Sequence, residues 1–204
     1  VYRDRDYLQD KKGDLYQVIG SLHPENGIYA LQKYKKVDFN SEEAMEQLLA
    51  QIPRDPISEV KKHPLRFWEQ KHTKDNFVRI LPNYSSKSAE NNMKNHRYSQ
   101  ESSIFGMSMI QVPTNEIEIH WKPKEKFNQF QEEFRSKNFK EKIKLDSLQR
   151  KTLEAAYSLE TIYNIDTTQV GVTGSILWNA HHEKSDIDLM VYGKDNVRKM
   201  NNLR

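Results

Sequence analysis

Two short runs of β-branched, aliphatic and aromatic residues predict a hairpin near the start of the chain. The runs cover residues 15–19 and 28–34, and each has the length of a strand. Between them, Pro24 and the Asn26–Gly27 pair are residue types typical of turns. Residues 1–120 are therefore predicted to form a β-rich N-terminal domain.

Helical spacing of apolar residues predicts two helices. In the first, residues 41–52, acids lie near the start, and Pro53 and Pro56 end the helix. In the second, Asp146 and Gln149 have the spacing of a capping box, and the helix is predicted to run to about Asn164. Its apolar side is formed by Leu148, Thr152, Ala155, Ala156, Leu159 and Tyr163.

The order of apolar and polar residues predicts secondary structure less clearly between residues 57 and 120. Residues 77–81 are predicted to form a strand that Pro82 stops. Residues 84–103 are dominated by Ser, Asn, Lys and Glu, which predicts a mobile loop. The apolar stretch over 104–110 is interpreted either as a strand or as a turn followed by a strand.

Residues 121–145 are predicted to be a basic helical linker. Between His120 and Lys151 there are ten Lys and Arg residues against five acids. That excess is interpreted as a solvated helix face, with contact to phosphate as the alternative. Phe127, Phe130 and Phe134 recur at helical spacing and are predicted to be packing residues.

Composition excludes several classes of protein. The 204 residues carry 32 Lys and Arg against 29 Asp and Glu, a formal net charge of +3, so charge alone does not indicate nucleic acid. The absence of cysteine excludes disulfides, thiolate zinc sites and cysteine nucleophiles. With no apolar run long enough for a membrane span and no signal-peptide pattern, we expect a soluble, cytoplasmic protein without a membrane partner.

The region from residue 169 to 192 carries the candidate chemistry. It is predicted to contain a strand over 169–172, a small-residue turn over 173–175, a short helix over 176–180 and a strand over 186–192. Alternate side chains of a strand share a face, so Asp186 and Asp188 are predicted to project together, with Ile187 and Leu189 in the core. Two such carboxylates repel unless a cation lies between them, which favours Mg²⁺ or Mn²⁺.

The turn before these acids suits a polyphosphate. Gly174 lets the backbone approach a phosphate closely, Ser175 adds a hydroxyl donor, and the helix start presents free N–H groups. The combination predicts attack of a hydroxyl on the α-phosphate of a nucleoside triphosphate, with the metal neutralising the leaving charge.

The order Gly174–Ser175 followed by Asp186-Ile187-Asp188 resembles the signature of the polymerase-beta-like nucleotidyltransferase superfamily. A longer match resembles a family of predicted nucleotidyltransferases found mainly in archaea. It rests on residues 3–7, residues 18–20 with His23–Pro24, and residues 171–175. The resemblance implies an α+β protein with a β-rich N-terminal region, and residues 146–204 as the N-terminal part of a nucleotidyltransferase-type α/β core. It also implies a nucleoside triphosphate substrate.

The chain departs from the superfamily pattern in one respect. The third carboxylate that normally completes the metal site has no counterpart, because Asp195 lies in a predicted turn or helix start. We therefore expect the chain to be a fragment of a longer protein. The alternative is a catalytically incomplete module that binds RNA or a partner protein.

The sequence does not identify the substrates, and it argues against a histidine metal site. The acceptor hydroxyl is left open among a small molecule, a protein and RNA, and so is the nucleotide. The triplet His181-His182-Glu183 is interpreted as a solvated loop rather than a metal site, because adjacent histidines are awkwardly placed to share a metal.

Overall fold

A computed structural model of the chain describes residues 1–38, 67–80, 86–135 and 145–201. These residues form helices and a mostly antiparallel sheet, so the chain is α+β, as predicted. They divide into two compact units, Val1–His120 and Trp121–Arg204. The predicted helix over residues 41–52 lies outside the described residues.

The described part of the first unit contains one eight-stranded sheet. Its central path runs β4-β5-β3-β2-β1-β8, and β7 pairs with both β3 and β6. The strands are β1 (Tyr7–Asp10), β2 (Leu15–Val18), β3 (Gly27–Val37), β4 (Phe67–Glu69), β5 (Asn76–Arg79), β6 (Ser99–Ser102), β7 (Met107–Pro113) and β8 (Ile117–Trp121).

The predicted hairpin near the start of the chain is confirmed. Strands β2 and β3 pair antiparallel, with Val18 opposite Ala30 and Gln17 opposite Leu31. One face of the sheet is apolar and forms the core of the unit. That core consists of Leu8, Tyr16, Val18, Ile28, Ala30, Ile110 and Val112.

The prediction of a mobile loop over residues 84–103 is wrong for the described part of that segment. A helix, α1 (Ser86–Asn95), is followed by strand β6. Met93 of the helix packs against the apolar core, and the Ser102 hydroxyl donates to the Tyr29 hydroxyl at 2.8 Å. These partners are distant in sequence, so the polar local composition did not reveal them.

The other two predictions for this region fit the structure. The predicted strand over residues 77–81 corresponds to β5, which begins one residue earlier and ends at Arg79. Of the two interpretations of residues 104–110, a turn followed by a strand is correct. Gly106, with φ +65°, adopts the left-handed backbone conformation that closes this turn before β7.

Polar side chains form a partly buried network around the end of β1. Arg97 makes ion pairs with Asp10 and, at 3.0 Å, with Asp14. The Tyr16 hydroxyl donates to Asp10 at 3.0 Å, and His96 Nε2 lies 3.3 Å from the same hydroxyl. Burial raises the pKa of the Asp14 carboxyl. The network fixes the residues after α1 to the turn between β1 and β2.

The second unit combines helices with a two-stranded antiparallel sheet. Its elements are α2 (Pro123–Arg135), α3 (Ser147–Tyr163), β9 (Val170–Thr173), α4 (Gly174–Leu177), β10 (Asp188–Val191) and α5 (Lys194–Asn201). Its core contains Phe127, Phe130, Leu145, Leu148, Leu153, Ala156, Ile165, Val170, Val172 and Ile176.

The described part of the predicted linker over residues 121–145 is instead part of the second unit. Helix α2 buries Phe127 and Phe130 in the core, whereas Phe134 is 61% exposed. A side chain on Gly171 would overlap Pro123, so the glycine lets the helix lie directly on β9. Two of the three phenylalanines are therefore packing residues, as predicted.

The predicted capping box at the start of α3 is confirmed. The Asp146 carboxylate accepts hydrogen bonds from the backbone N–H groups of Leu148 and Gln149, each at 3.0 Å. In return, the Gln149 side chain accepts from the Asp146 N–H at 2.9 Å. At the other end, Asn164 has φ +51° and terminates the helix.

None of the helices described in the structure has both the length and the apolar character that crossing a membrane requires.

Candidate functional site

The antiparallel pair β9–β10 brings the Gly-Ser turn next to one of the predicted acids. Strand β9 leads directly into Gly174, and Thr173, its last residue, lies opposite Asp188 in the ladder. Asp188 is the first residue of β10. The two motifs, 14 positions apart in the sequence, therefore meet at one end of the sheet.

The contact between Gly174 and Asp188 is close enough to require glycine. Gly174 has φ +68°, a left-handed conformation that other residues rarely adopt. A Cβ atom at this position would overlap Oδ2 of Asp188. The carboxylate of Asp188 therefore lies directly against the backbone of the turn.

Asp186 lies just before the ladder, because β10 begins at Asp188 rather than at residue 186 as predicted. A turn precedes it, in which the His182 N–H donates to Ser185 Oγ at 3.0 Å. The predicted alternation of faces is nevertheless present. Asp186 and Asp188 are exposed, whereas Ile187 and Leu189 pack against the core of the unit.

Helix α4 is shorter and begins earlier than predicted for residues 176–180. It covers four residues and ends in a Schellman motif. In this motif the Ala180 N–H donates to the Ser175 carbonyl at 2.9 Å, and Asn179 has φ +61°. Because the helix dipole is a sum over aligned peptide groups, a single turn contributes little of it. The backbone of the turn and the Ser175 hydroxyl remain as the hydrogen-bonding groups of this segment.

Three oxygen-bearing side chains of this site have no partner among the described residues. No described residue makes a hydrogen bond or ion pair with the Ser175 hydroxyl, the Asp186 carboxylate or the Asp188 carboxylate. Asp195, by contrast, forms an ion pair with Arg198 at 3.2 Å on α5. The three groups are therefore available to a ligand.

The candidate cation ligands of this site are two carboxylates, those of Asp186 and Asp188. Two unpaired carboxylates offer the oxygen ligands that Mg²⁺ and Mn²⁺ prefer. In the described ranges, no group of three or more His, Asp or Glu side chains is placed to hold one ion. Asp195 lies in helix α5, off the strands, as its predicted position in a turn or helix start implied.

The interpretation of His181 as part of a solvated loop is wrong. Its side chain is buried, and Nε2 lies 2.7 Å from Oδ2 of Asp146. His182 and Glu183 are exposed, so for them the interpretation is correct. The sequence could not reveal the His181 contact, because Asp146 lies 35 positions earlier and its capping role was the visible signal.

Lys126 of α2 holds the far end of α4. Its ammonium donates to the Asn179 side-chain oxygen at 2.8 Å, and burial lowers the pKa of the amine. The segment between the Gly-Ser turn and the acids is thus fixed at two points, by Lys126 at Asn179 and by Asp146 at His181.

Comparisons of the chain with protein-family models, with curated proteins and with solved structures give no match.

Proposed function

We propose that this chain carries a metal-dependent nucleotidyltransferase site, in which a hydroxyl acceptor attacks the α-phosphate of a nucleoside triphosphate. The nucleoside monophosphate is transferred to that oxygen, and pyrophosphate and the hydroxyl proton leave. The observation that supports the proposal is the position of the Asp188 carboxylate. It lies against the Gly174 turn, and the hydroxyl of the next residue, Ser175, has no partner among the described residues.

Each residue of the site has a chemical role in this proposal. Asp186 and Asp188 hold Mg²⁺ or Mn²⁺ through their carboxylate oxygens, and the backbone at Gly174 approaches a phosphate closely. The Ser175 hydroxyl donates a hydrogen bond to a phosphate oxygen. When bound, the metal supplies positive charge against the triphosphate and lowers the pKa of the acceptor hydroxyl.

Metal binding by Asp188 is the first test. Asp188→Asn removes one negative charge while keeping the shape of the side chain, so we expect affinity for Mn²⁺ to fall at least about tenfold. The change is measured by titrating Mn²⁺ and following its electron paramagnetic resonance signal, with and without ATP.

Asp195→Asn is the matched control. It removes the same charge from an exposed aspartate in the same unit, but that aspartate is paired with Arg198 on α5. We expect its Mn²⁺ affinity to equal that of the unchanged chain. Equal affinity in Asp188→Asn and Asp195→Asn would contradict the assignment of Asp188 as a metal ligand.

Transfer is measured with the four ribonucleoside triphosphates, each labelled at the α-phosphate. Label that moves to RNA, to the protein or to a small hydroxyl compound, and is lost in Asp188→Asn, supports the proposal. RNA binding that weakens steeply with salt, is indifferent to Mg²⁺ and comes without transfer would support the incomplete binding module instead.

A further inference from the structure

A pocket of about 270 Å³ opens in the first unit, where the turn before β3 meets β6 and β7. A water molecule occupies about 30 Å³ in the liquid, so the pocket has the volume of roughly nine water molecules. One ring system fits into that volume. The lining combines two proline rings with amide and carboxylate side chains. It consists of Pro24, Glu25, Asn26, Gly27, Gln100, Gln111 and Pro113.

The amide groups of this pocket are not used by the fold. Gln111 is only 9% exposed, yet no described residue hydrogen-bonds to its carboxamide. The carboxamides of Gln100 and Asn26 also lack partners among the described residues. The carboxamide atoms of Gln111 still reach solvent, as do those of exposed Gln100 and Asn26, so all three amides can donate to a ligand and accept from it.

The sheet register places the two glutamines on one face. Gln100 lies opposite Met109, and Gln111 follows Met109 by two positions on β7. Because residues two apart in a strand share a face, Gln100 and Gln111 project to the same side. Gly27 leaves this space open, since a Cβ atom there would lie 3.4 Å from the Cβ of Gln111.

The lining disfavours a phosphate inside the pocket and favours a flat, neutral ring there. It contains no lysine, arginine or histidine, and the exposed Glu25 carboxylate repels phosphate. Carboxamides pair with the donor and acceptor edges of nucleobases. Pro24 and Pro113 offer apolar surfaces against which a planar ring can lie. A nucleobase therefore matches the size, the polarity and the charge of the pocket.

We propose that this pocket binds an unpaired guanine base. Guanine carries two adjacent N–H donors on its Watson–Crick edge, which match the two oxygens of Glu25, and it carries acceptors for the glutamine amides. The base is either that of a free guanine nucleotide or that of a nucleotide in single-stranded RNA. The assignment does not depend on nucleotidyl transfer, because every residue that carries it belongs to the first unit.

Filling the pocket is the direct test. Gly27 lies in strand β3 outside the left-handed region, so Gly27→Val fits the backbone and adds a β-branched residue suited to strands. We expect the variant to stay folded and to bind guanosine at least about tenfold more weakly. Binding is measured on the full chain by nuclear magnetic resonance titration, and folding by thermal denaturation. Unchanged guanosine affinity in folded Gly27→Val overturns the proposal.

A matched control separates binding from general damage. Gln17 on β2 is also 9% exposed, but its side chain already accepts a hydrogen bond from Arg5 at 3.3 Å. Gln17→Met therefore lowers the melting temperature without changing guanosine affinity. A Gln17→Met variant that loses guanosine binding as strongly as Gly27→Val overturns the assignment to the pocket.

The choice of base is tested through Glu25. The unchanged chain is expected to bind guanosine more tightly than inosine, which lacks the 2-amino group, and more tightly than uridine. Glu25→Gln removes the charge and one acceptor, so the preference for guanosine over inosine falls by severalfold. Equal affinity for all three nucleosides in the unchanged chain, or no binding up to millimolar concentration, overturns the proposal.

The source of the base is resolved with two probes. Titrations with guanosine 5′-monophosphate and with a short single-stranded RNA containing one guanine show which of them the pocket holds more tightly. Binding of either probe that Gly27→Val abolishes supports the pocket. Asp188→Asn must leave guanosine binding unchanged, and a loss in that variant would assign the base to the Gly-Ser site instead.

Discussion

A single missing carbon atom at Gly174 determines how the candidate site is built. Gly174 has a left-handed backbone, and the Asp188 carboxylate occupies the space where a side chain would begin. The lack of a side chain at Gly174 therefore allows both the tight turn and the direct contact between the Asp188 carboxylate and that turn. Neighbouring Ser175 keeps its hydroxyl without a partner in the described part of the chain.

Gly174→Ala is expected to displace the Asp188 carboxylate and to weaken Mn²⁺ binding. The left-handed conformation alone costs about 1–2 kcal/mol for a residue with a side chain, and the overlap with Asp188 adds to that cost. The free energy of unfolding is measured in urea, and Mn²⁺ affinity by titration.

Gly20→Ala is the control for the backbone effect. Gly20 also has a positive φ, +72°, but a Cβ atom there would meet nothing within 4 Å. We expect a similar backbone cost and no change in Mn²⁺ affinity. If Gly20→Ala and Gly174→Ala weaken Mn²⁺ binding equally, the contact with Asp188 is not what matters.

The candidate residues were predictable from the sequence to different degrees. Gly174, Ser175, Asp186 and Asp188 are candidates because their residue types and spacing predict their chemistry, and the structure places Asp188 against the Gly174 turn. The start of β10 at Asp188 was not predictable, because the turn before it rests on a hydrogen bond to Ser185. The buried position of His181 depends on a partner 35 positions away, which no local pattern records.

At the scale of elements, Asp146 links the start of a helix to the loop before the acids. Its Oδ1 caps α3 by accepting from Leu148 and Gln149, and its Oδ2 lies 2.7 Å from His181 Nε2. One carboxylate therefore fixes both the first turn of α3 and the loop between the Gly-Ser turn and Asp186.

Asp146→Ala is expected to destabilise the second unit by about 2–3 kcal/mol, because it removes a cap and leaves buried His181 without this partner. Asp146→Asn keeps an oxygen for the cap and is expected to recover a large part of that loss. Unfolding in urea measures both. Asp166→Ala, which removes an exposed carboxylate bonded to the N–H and the side chain of Thr168, is the control and should cost less.

Elements specified by neighbouring residues were predicted correctly. The β2–β3 hairpin has turn residues between two apolar runs, and the capping box of α3 lies within four residues. Helix α1 and strand β6 were missed because their stability comes from distant contacts, such as Ser102 to Tyr29. Local composition there is polar, so periodicity gave no signal.

At the scale of the molecule, the partly buried network of Asp10, Asp14, Tyr16, His96 and Arg97 makes the stability of the first unit depend on pH. Burial, together with the charge of Arg97, lowers the pKa of His96 from 6.5 to about 4. Asp10 opposes this shift, and Lys35 adds to it. Because the folded state disfavours the protonated imidazole, its contribution to stability is complete above pH 6.5 and is lost as the pH falls toward 4.

His96→Gln is expected to remove this dependence. Between pH 7 and 4.5 the unchanged chain should lose about 1–2 kcal/mol more of unfolding free energy than the variant, after allowance for partial solvent screening. Unfolding in urea at a series of pH values measures the difference. Burial raises the pKa of Asp14, so the contribution of Asp14 to the free energy of unfolding increases as the pH falls. This contribution is the same in the unchanged chain and in the variant. If the free energy of unfolding of the two proteins changes with pH in parallel, His96 is excluded as the origin of the pH dependence.

The close approach of Pro123 to Gly171 has a practical consequence for dividing the protein. The glycine leaves a bare strip of backbone on which Pro123, at the start of α2, packs, and Phe127 and Phe130 of the same helix are buried in the core. A shortened polypeptide meant to retain the Gly-Ser turn must therefore begin before Pro123. A polypeptide that starts at Asp146 would lack α2 and therefore Phe127 and Phe130. The strip and the apolar core that α2 covers would then be exposed to water, and we expect such a product to aggregate.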